Sequence, residues 1–233
     1  MSAGSLTARL KSSLIGSAGT IVFGMEDGTV SIFGLVFGVA ATTTSSVAVL
    51  IAGASGAAAA AVSMMAGAYL EAETSRDERA ASQARLETEL SCEHSAMAGM
   101  LAEKLAAAGL KPELSGALSR AVQQDREAFK GLLLALEGAP AVTLQPLHQA
   151  LWMLAADFFS AAVPIVPFML LPIGVARVVS AIITTLLLIV LGFGRARIGG
   201  RSTARTVAQT VGMGVAAALA GVAIGVLIDR AFR

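Results

Sequence analysis

The sequence predicts an all-α integral membrane protein: five transmembrane helices, with a cytosolic helical domain inserted between the second and third. Three observations predict it. First, 55% of the 233 residues are hydrophobic and 14% are charged, and the mean hydropathy is +0.75. A soluble domain averages about 45–50% apolar and about 25% charged. Second, the charges are partitioned. Residues 12–70 hold only Glu26 and Asp27, and residues 148–194 only Asp157 and Arg177. Residues 206–228 hold none, whereas residues 71–147 hold twelve acidic and eight basic side chains. Third, the charge-poor blocks divide into stretches of the right length. A hydrocarbon core ~30 Å thick takes about 20 helical residues to cross.

The first two spans are expected near residues 20–41 and 46–70, separated by the short uncharged segment Thr42–Ser46. The first is not a secretory signal peptide, because it lacks a small-residue cleavage site and carries two carboxylates. The third and fourth spans are expected near 149–171 and 174–194, with a turn at Pro172–Gly174. The fifth is expected near 206–228. Basic residues set the orientation. Arg9 and Lys11 precede span one, and Arg195, Arg197, Arg201 and Arg205 fall between spans four and five, so these ends and residues 71–147 are expected in the cytosol. Three segments follow: 1–70 with spans one and two, 71–147 as the cytosolic domain, and 148–233 with spans three to five.

Within 71–147, Ala, Glu, Leu, Arg and Gln dominate up to Ala108, with Gly99 the only Gly or Pro. That composition favours one long helix continuous with span two. Gly109 suits its C-terminal stop and Pro112 the first turn of a second helix, expected to run to Gln124. A third is expected from Asp125 to Glu137. Glu89, Glu93, Met97 and Met100 recur at helical spacing and form one stripe. Carboxylates and thioethers together could bind divalent metal. The same pattern also suits a solvated acidic face with two methionines packed on a neighbour. Cys92 and His94 point to other faces of an ideal helix.

Several function classes are excluded. Disorder needs low hydrophobicity and high charge, and one cysteine excludes a disulfide scaffold. A net charge of +1 without a basic patch argues against nucleic acid as a partner. No nucleophile arrangement and no phosphate-binding loop is readable, so neither an enzyme nor a cofactor is expected. An intramembrane aspartyl protease using Asp27 and Asp157 would need Tyr-Asp and Gly-x-Gly-Asp contexts, which are missing.

Acidic side chains inside a bilayer usually line an ion pathway. Asp27 and Glu26 in span one are therefore pathway candidates. Arg177 lies near a helix end and can snorkel, a structural role. Met64, in span two, is packing or a soft metal ligand. Glycines recur at fourfold spacing (Gly24 and Gly28, Gly34 and Gly38, Gly221 and Gly225). Such pairs allow close helix approach, and span one is expected to pack closely against a partner.

These residues carry a resemblance. Phe23-Gly24-Met25-Glu26-Asp27-Gly28-Thr29-Val30-Ser31 resembles the phrase "GANDGIVS" of the vacuolar iron transporter family, and Gly34 to Ala40 continues it. Ser63 to Tyr69 resembles "SMAAGEY", Gly109 to Leu114 resembles "KGLSPELA", and Pro164 to Phe168 resembles "PLLPF". The resemblance implies export of cytosolic Fe(II), and often Mn(II), into a vacuole or out of the cell, in exchange for protons. It implies a homodimer with the pathway between the two first spans, in the inner membrane of a bacterium or the vacuolar membrane of a eukaryote. The family's pathway Asp and Met match Asp27 and Met64, and one metal-collecting glutamate of its cytosolic domain matches Glu89. There are departures. Glu26 replaces an Asn, and Ala68 replaces a Glu. Met97 and Met100 stand where the family has glutamates, and Leu133 and Leu134 where it has Glu and Met, with Glu137 kept. A membrane-anchored metal sensor or scaffold without transport is the alternative these losses favour.

Overall fold

The computed structural model describes residues 17–92, 94–123, 125, 131–132 and 145–232. Among them there is no strand. The helices are α1 (Ala18–Thr42), α2 (Ser46–Cys92), α3 (His94–Ala107), α4 (Pro112–Gln123), α5 (Pro146–Leu170), α6 (Ile173–Gly199) and α7 (Thr203–Ala231). Five are long and apolar enough to cross a membrane: α1, α2 over Ser46–Arg85, α5, α6 and α7. The protein is a multi-pass, all-α integral membrane protein. Arg9, Lys11, Glu93, Leu133, Leu134, Glu137 and most of the expected third helix lie outside the described residues.

The chain forms two compact units, Met1–Leu70 with Leu144–Arg233, and Glu71–Thr143. In the first, α1 is the central helix and packs against α5, α6 and α7. Half of its apolar window is buried within the chain, against 6% of that of α7. The main apolar core lies along α1, α2 and α5, with Ile32, Val36, Val49, Ala57, Ile165 and Phe168 buried together.

Small residues make this packing possible. In lipid there is no hydrophobic drive between helices, so association depends on close backbone approach. A Cβ at Gly38 would fall 2.7 Å from the Gly221 carbonyl oxygen, and one at Gly34 would fall 2.8 Å from the Ala217 carbonyl oxygen. The glycine pairs of α1 are thus filled by helices of the same chain: α5 at Gly24 and Gly28, α7 at Gly34 and Gly38.

The ends of the elements have local causes. α1 stops at Thr42, and the Arg177 guanidinium from α6 donates to the carbonyls of Ala40 and Thr43. Those carbonyls would otherwise lack an intrahelical donor. Ser180 Oγ donates to the Pro164 carbonyl at 2.8 Å and ties α6 to α5. α6 runs past the expected end of span four to Gly199 and is stopped by Gly200, which is left-handed at φ 60°. Arg195 and Arg197 therefore sit in the last turns of a helix rather than in a loop.

The second unit contains α3 and α4, which pack on each other, with Leu101, Leu105 and Ser115 buried. Gly109, at φ +94°, makes the turn between them. Leu110 N–H donates to the Leu105 carbonyl and Gly109 N–H to that of Ala106, each at 3.0 Å. This is a Schellman stop, and Pro112 then opens α4 where its missing N–H costs nothing.

The packing yields a paired test. Gly38→Ala should lower the stability of the detergent-solubilised protein by about 1–3 kcal/mol, the usual cost of overpacking. Gly212→Ala, in the same bundle but with no atom within 4 Å of the added methyl, should be neutral or stabilising, since alanine is the better helix former. Thermal unfolding of the two variants beside the unsubstituted protein checks both.

Candidate functional site

Three carboxylates stand well away from the ends of the spans: Glu26 and Asp27 on α1, and Asp157 on α5. Asp27 lies nine residues beyond Ala18, and Asp157 eleven beyond Pro146. At 1.5 Å per residue these are about 14 and about 16 Å along their helices, near the middle of a core ~30 Å thick. Their environments differ because consecutive residues on a helix point about 100° apart.

Glu26 is 5% exposed. Arg195 Nη1 of α6 reaches its Oε1 at 2.9 Å and its Oε2 at 3.2 Å. Thr210 of α7 donates to the same Oε1 at 3.0 Å. One carboxylate thus joins α1, α6 and α7. The guanidinium keeps contact with the outside, since its side chain is 40% exposed. Arg195 and Glu26 also line a cavity of about 240 Å³ with Phe23, Ile198 and Arg201. Nearby, Gln149 of α5 donates to Thr20 of α1 at 3.3 Å. The basic cluster, the start of α1 and the start of α5 therefore share one end of the bundle.

Asp27, the next residue, is half-buried and carries no share of this ion pair. Glu26 precedes it on α1, and Asp157 of α5 lies against Gly28, which follows it. Asp157 is fully buried, and neither of its oxygens has a hydrogen-bond partner among the described residues. Ser160 Oγ, one turn on, donates to the Asp157 backbone carbonyl and not to its carboxylate. Gly28 is what admits Asp157. A Cβ there would fall 2.5 Å from the Asp157 carbonyl oxygen, 2.7 Å from its Oδ1 and 2.8 Å from Ser160 Oγ. An unpaired buried charge costs on the order of several kcal/mol. Among the described residues Arg195 pairs with Glu26 and no cation pairs with Asp27 or Asp157, so the site suits a positive ion.

Met64 and Met65 are half-buried on α2. Neither Asp27 nor Met64 lines the cavity beside Arg195 or the second one, between α1 and α7 near Gly38 and Gly225. In the other unit, Glu89 lies on α2, and Met97 and Met100 on α3. Cys92 ends α2 and His94 begins α3. No group of three or more His, Cys, Asp and Glu placed to hold a metal occurs among the described residues. The partners of Glu26 escaped the sequence reading. Arg195 was read as part of a basic loop, and its place directly after the apolar run that ends at Gly194 was the signal available.

Breaking the pair gives a direct prediction. Arg195→Met should strand Glu26 in the bundle and lower stability by up to about 3 kcal/mol, less to the extent that water reaches the site. Glu26→Gln combined with Arg195→Met should recover most of the loss. Unfolding midpoints of the single and double variants in detergent measure it.

The model of the VIT family matches residues 18–226 of the chain. The chain is also similar to curated plant proteins. It is 26% identical over 189 residues to "Vacuolar iron transporter 1" of Arabidopsis thaliana, covering 80% of this chain and 76% of that one. It is 28% identical to "Vacuolar iron transporter 1" of Eucalyptus grandis over 179 residues, 76% of this chain and 72% of the other. It is 29% identical to "Vacuolar iron transporter" of Centaurea cyanus over 183 residues, 77% and 75% of the two chains.

Proposed function

The chain belongs to the VIT family, and we propose that it exports a divalent transition metal, Fe(II) and with it Mn(II), from the cytosol by exchange for protons. The observation that carries this reading is Asp27. It is a carboxylate held near mid-membrane while Arg195 is taken by its neighbour Glu26. Membrane carboxylates of this kind mark ion pathways. The names of the curated relatives point the substrate toward iron. Nothing in this scheme asks the chain to be an enzyme or to hold a cofactor.

The working cycle follows from the donors. Asp27 offers hard oxygen and Met64 soft sulfur, a combination that suits Fe(II) or Mn(II). The same carboxylate takes a proton or a metal ion, not both, and that exclusion couples the two fluxes. Glu26 and Arg195 hold α1, α6 and α7 in register beside the pathway. Glu89, Glu93, Met97 and Met100 collect metal on the cytosolic side, where residues 71–147 stand. Two copies of the chain place their first spans side by side as a homodimer. Because α5 and α7 fill the glycine pairs of α1, the dimer uses other faces. The apolar face of α2, with Val47, Ile51 and Val62 exposed, is one.

A metal sensor anchored in the membrane would bind metal without flux. Five apolar helices around unpaired carboxylates favour transport, since a sensor needs neither. In proteoliposomes loaded with an Fe(II) chelator, Asp27→Asn should cut the initial uptake rate on the order of a hundredfold, the loss expected for a metal ligand. Met64→Leu should fall between this variant and the unsubstituted protein. Uptake by Asp27→Asn at the unsubstituted rate contradicts the scheme.

A further inference from the structure

We infer that Asp157 is a metal ligand of the membrane site: one divalent cation is held jointly by Asp157 of α5 and Asp27 of α1. The inference rests on the reading of the chain as a carrier of divalent metal. Nothing in the sequence resemblance assigns Asp157 a role.

The geometry is specific. Asp157 has no exposed surface, and both its oxygens lack partners among the described residues. A buried aspartate kept for structure is normally satisfied by donors, as Glu26 is by Arg195 and Thr210. Here a hydroxyl one turn on, Ser160 Oγ, spends its proton on a backbone carbonyl and leaves its lone pairs free. The carboxylate lies against Gly28, the residue next to Asp27, in a space that any side chain at position 28 would fill. Asp27, the neighbouring residue on α1, is itself half-buried.

Two acids from neighbouring helices, with a hydroxyl beside them and no cation assigned, form an oxygen donor set suited to Mn(II) and related hard ions. Arg195 does not supply the missing charge, because its Nη1 is shared between the two oxygens of Glu26. Glu26 thereby does a second job. It draws the guanidinium away and leaves the Asp27–Asp157 pair for the ion.

The test counts ions. Mn(II) bound per chain is measured by electron paramagnetic resonance on the purified full-length protein in detergent. The unsubstituted chain is compared with Asp27→Asn, Asp157→Asn and the double variant. Each single variant should bind one ion fewer per chain, and the double variant also one fewer, because both residues hold the same ion. Asp157→Asn should melt at or above the unsubstituted protein in metal-free buffer, since it removes an unpaired charge. A purely structural role predicts the opposite. Asp157→Ser is read in parallel, so that poor folding of one variant leaves the count intact.

A full complement in Asp157→Asn and Asp157→Ser overturns the inference. A double variant that loses two ions overturns the shared site. Mn(II) flux into proteoliposomes separates the two readings. The predicted counts without flux support the site and refute transport. Flux together with a full complement in the Asp157 variants refutes the site alone.

Discussion

Glu26, Asp27 and Asp157 stand within the bundle, and among the described residues the one ion pair they make is that of Glu26 with Arg195. The rest of the structure follows from this imbalance. Arg195 can pair with Glu26 because α6 continues to Gly199 and carries the guanidinium alongside the start of α1. Its other face stays partly open, so the pair is not wholly stripped of water. Pairs in such places lose less to desolvation than fully buried ones. The acids left without a cation are Asp27 and Asp157, and a carboxyl in such a place needs a proton or a metal ion to neutralise it.

Holding those acids in place is the work of packing. α1 threads between α5, α6 and α7 at distances that leave no room for side chains at Gly24, Gly28, Gly34 and Gly38. Gly28 brings Asp157 against the residue beside Asp27, and Gly34 and Gly38 seat α7 further along. Arg177 fixes the opposite end of α1 by answering its last carbonyls. A helix anchored at both ends and closely packed between them can hold a carboxylate at one depth. A site that admits an ion from one side and releases it to the other has to hold its ligand in this way.

Much of the fold was legible in the sequence, for physical reasons. Charge-free runs give spans because lipid excludes charge. Pro172, Gly109 and Pro112 mark turns because their backbones allow little else, and all three stand where the helices break. The extra length of α6 was not legible, because the helix continues past the apolar run until Gly200 turns it. The glycine pairs showed a close-packing face but not which helix would fill it. Spacing along one helix carries no information about its neighbour, and the neighbours proved to be α5 and α7 of the same chain. Asp27 and Glu26 stood out in the sequence as acids in an apolar run, and Met64 was singled out by resemblance; the structure places Met64 half-buried on α2. The Glu26–Arg195 contact joins residues 169 apart, and the empty bonding of Asp157 is a property of three dimensions alone.

The central claim is that metal and protons exchange through this bundle. The most direct measurement is uptake of Fe(II), Mn(II), Co(II) and Zn(II) in competition by proteoliposomes of the full chain, with internal pH read at the same time. The account predicts saturable uptake with Fe(II) or Mn(II) the strongest competitor. It also predicts a matched pH change on the metal-receiving side that disappears with Asp27→Asn. Metal uptake with no pH change, or uptake and pH change that both persist in Asp27→Asn, would contradict it.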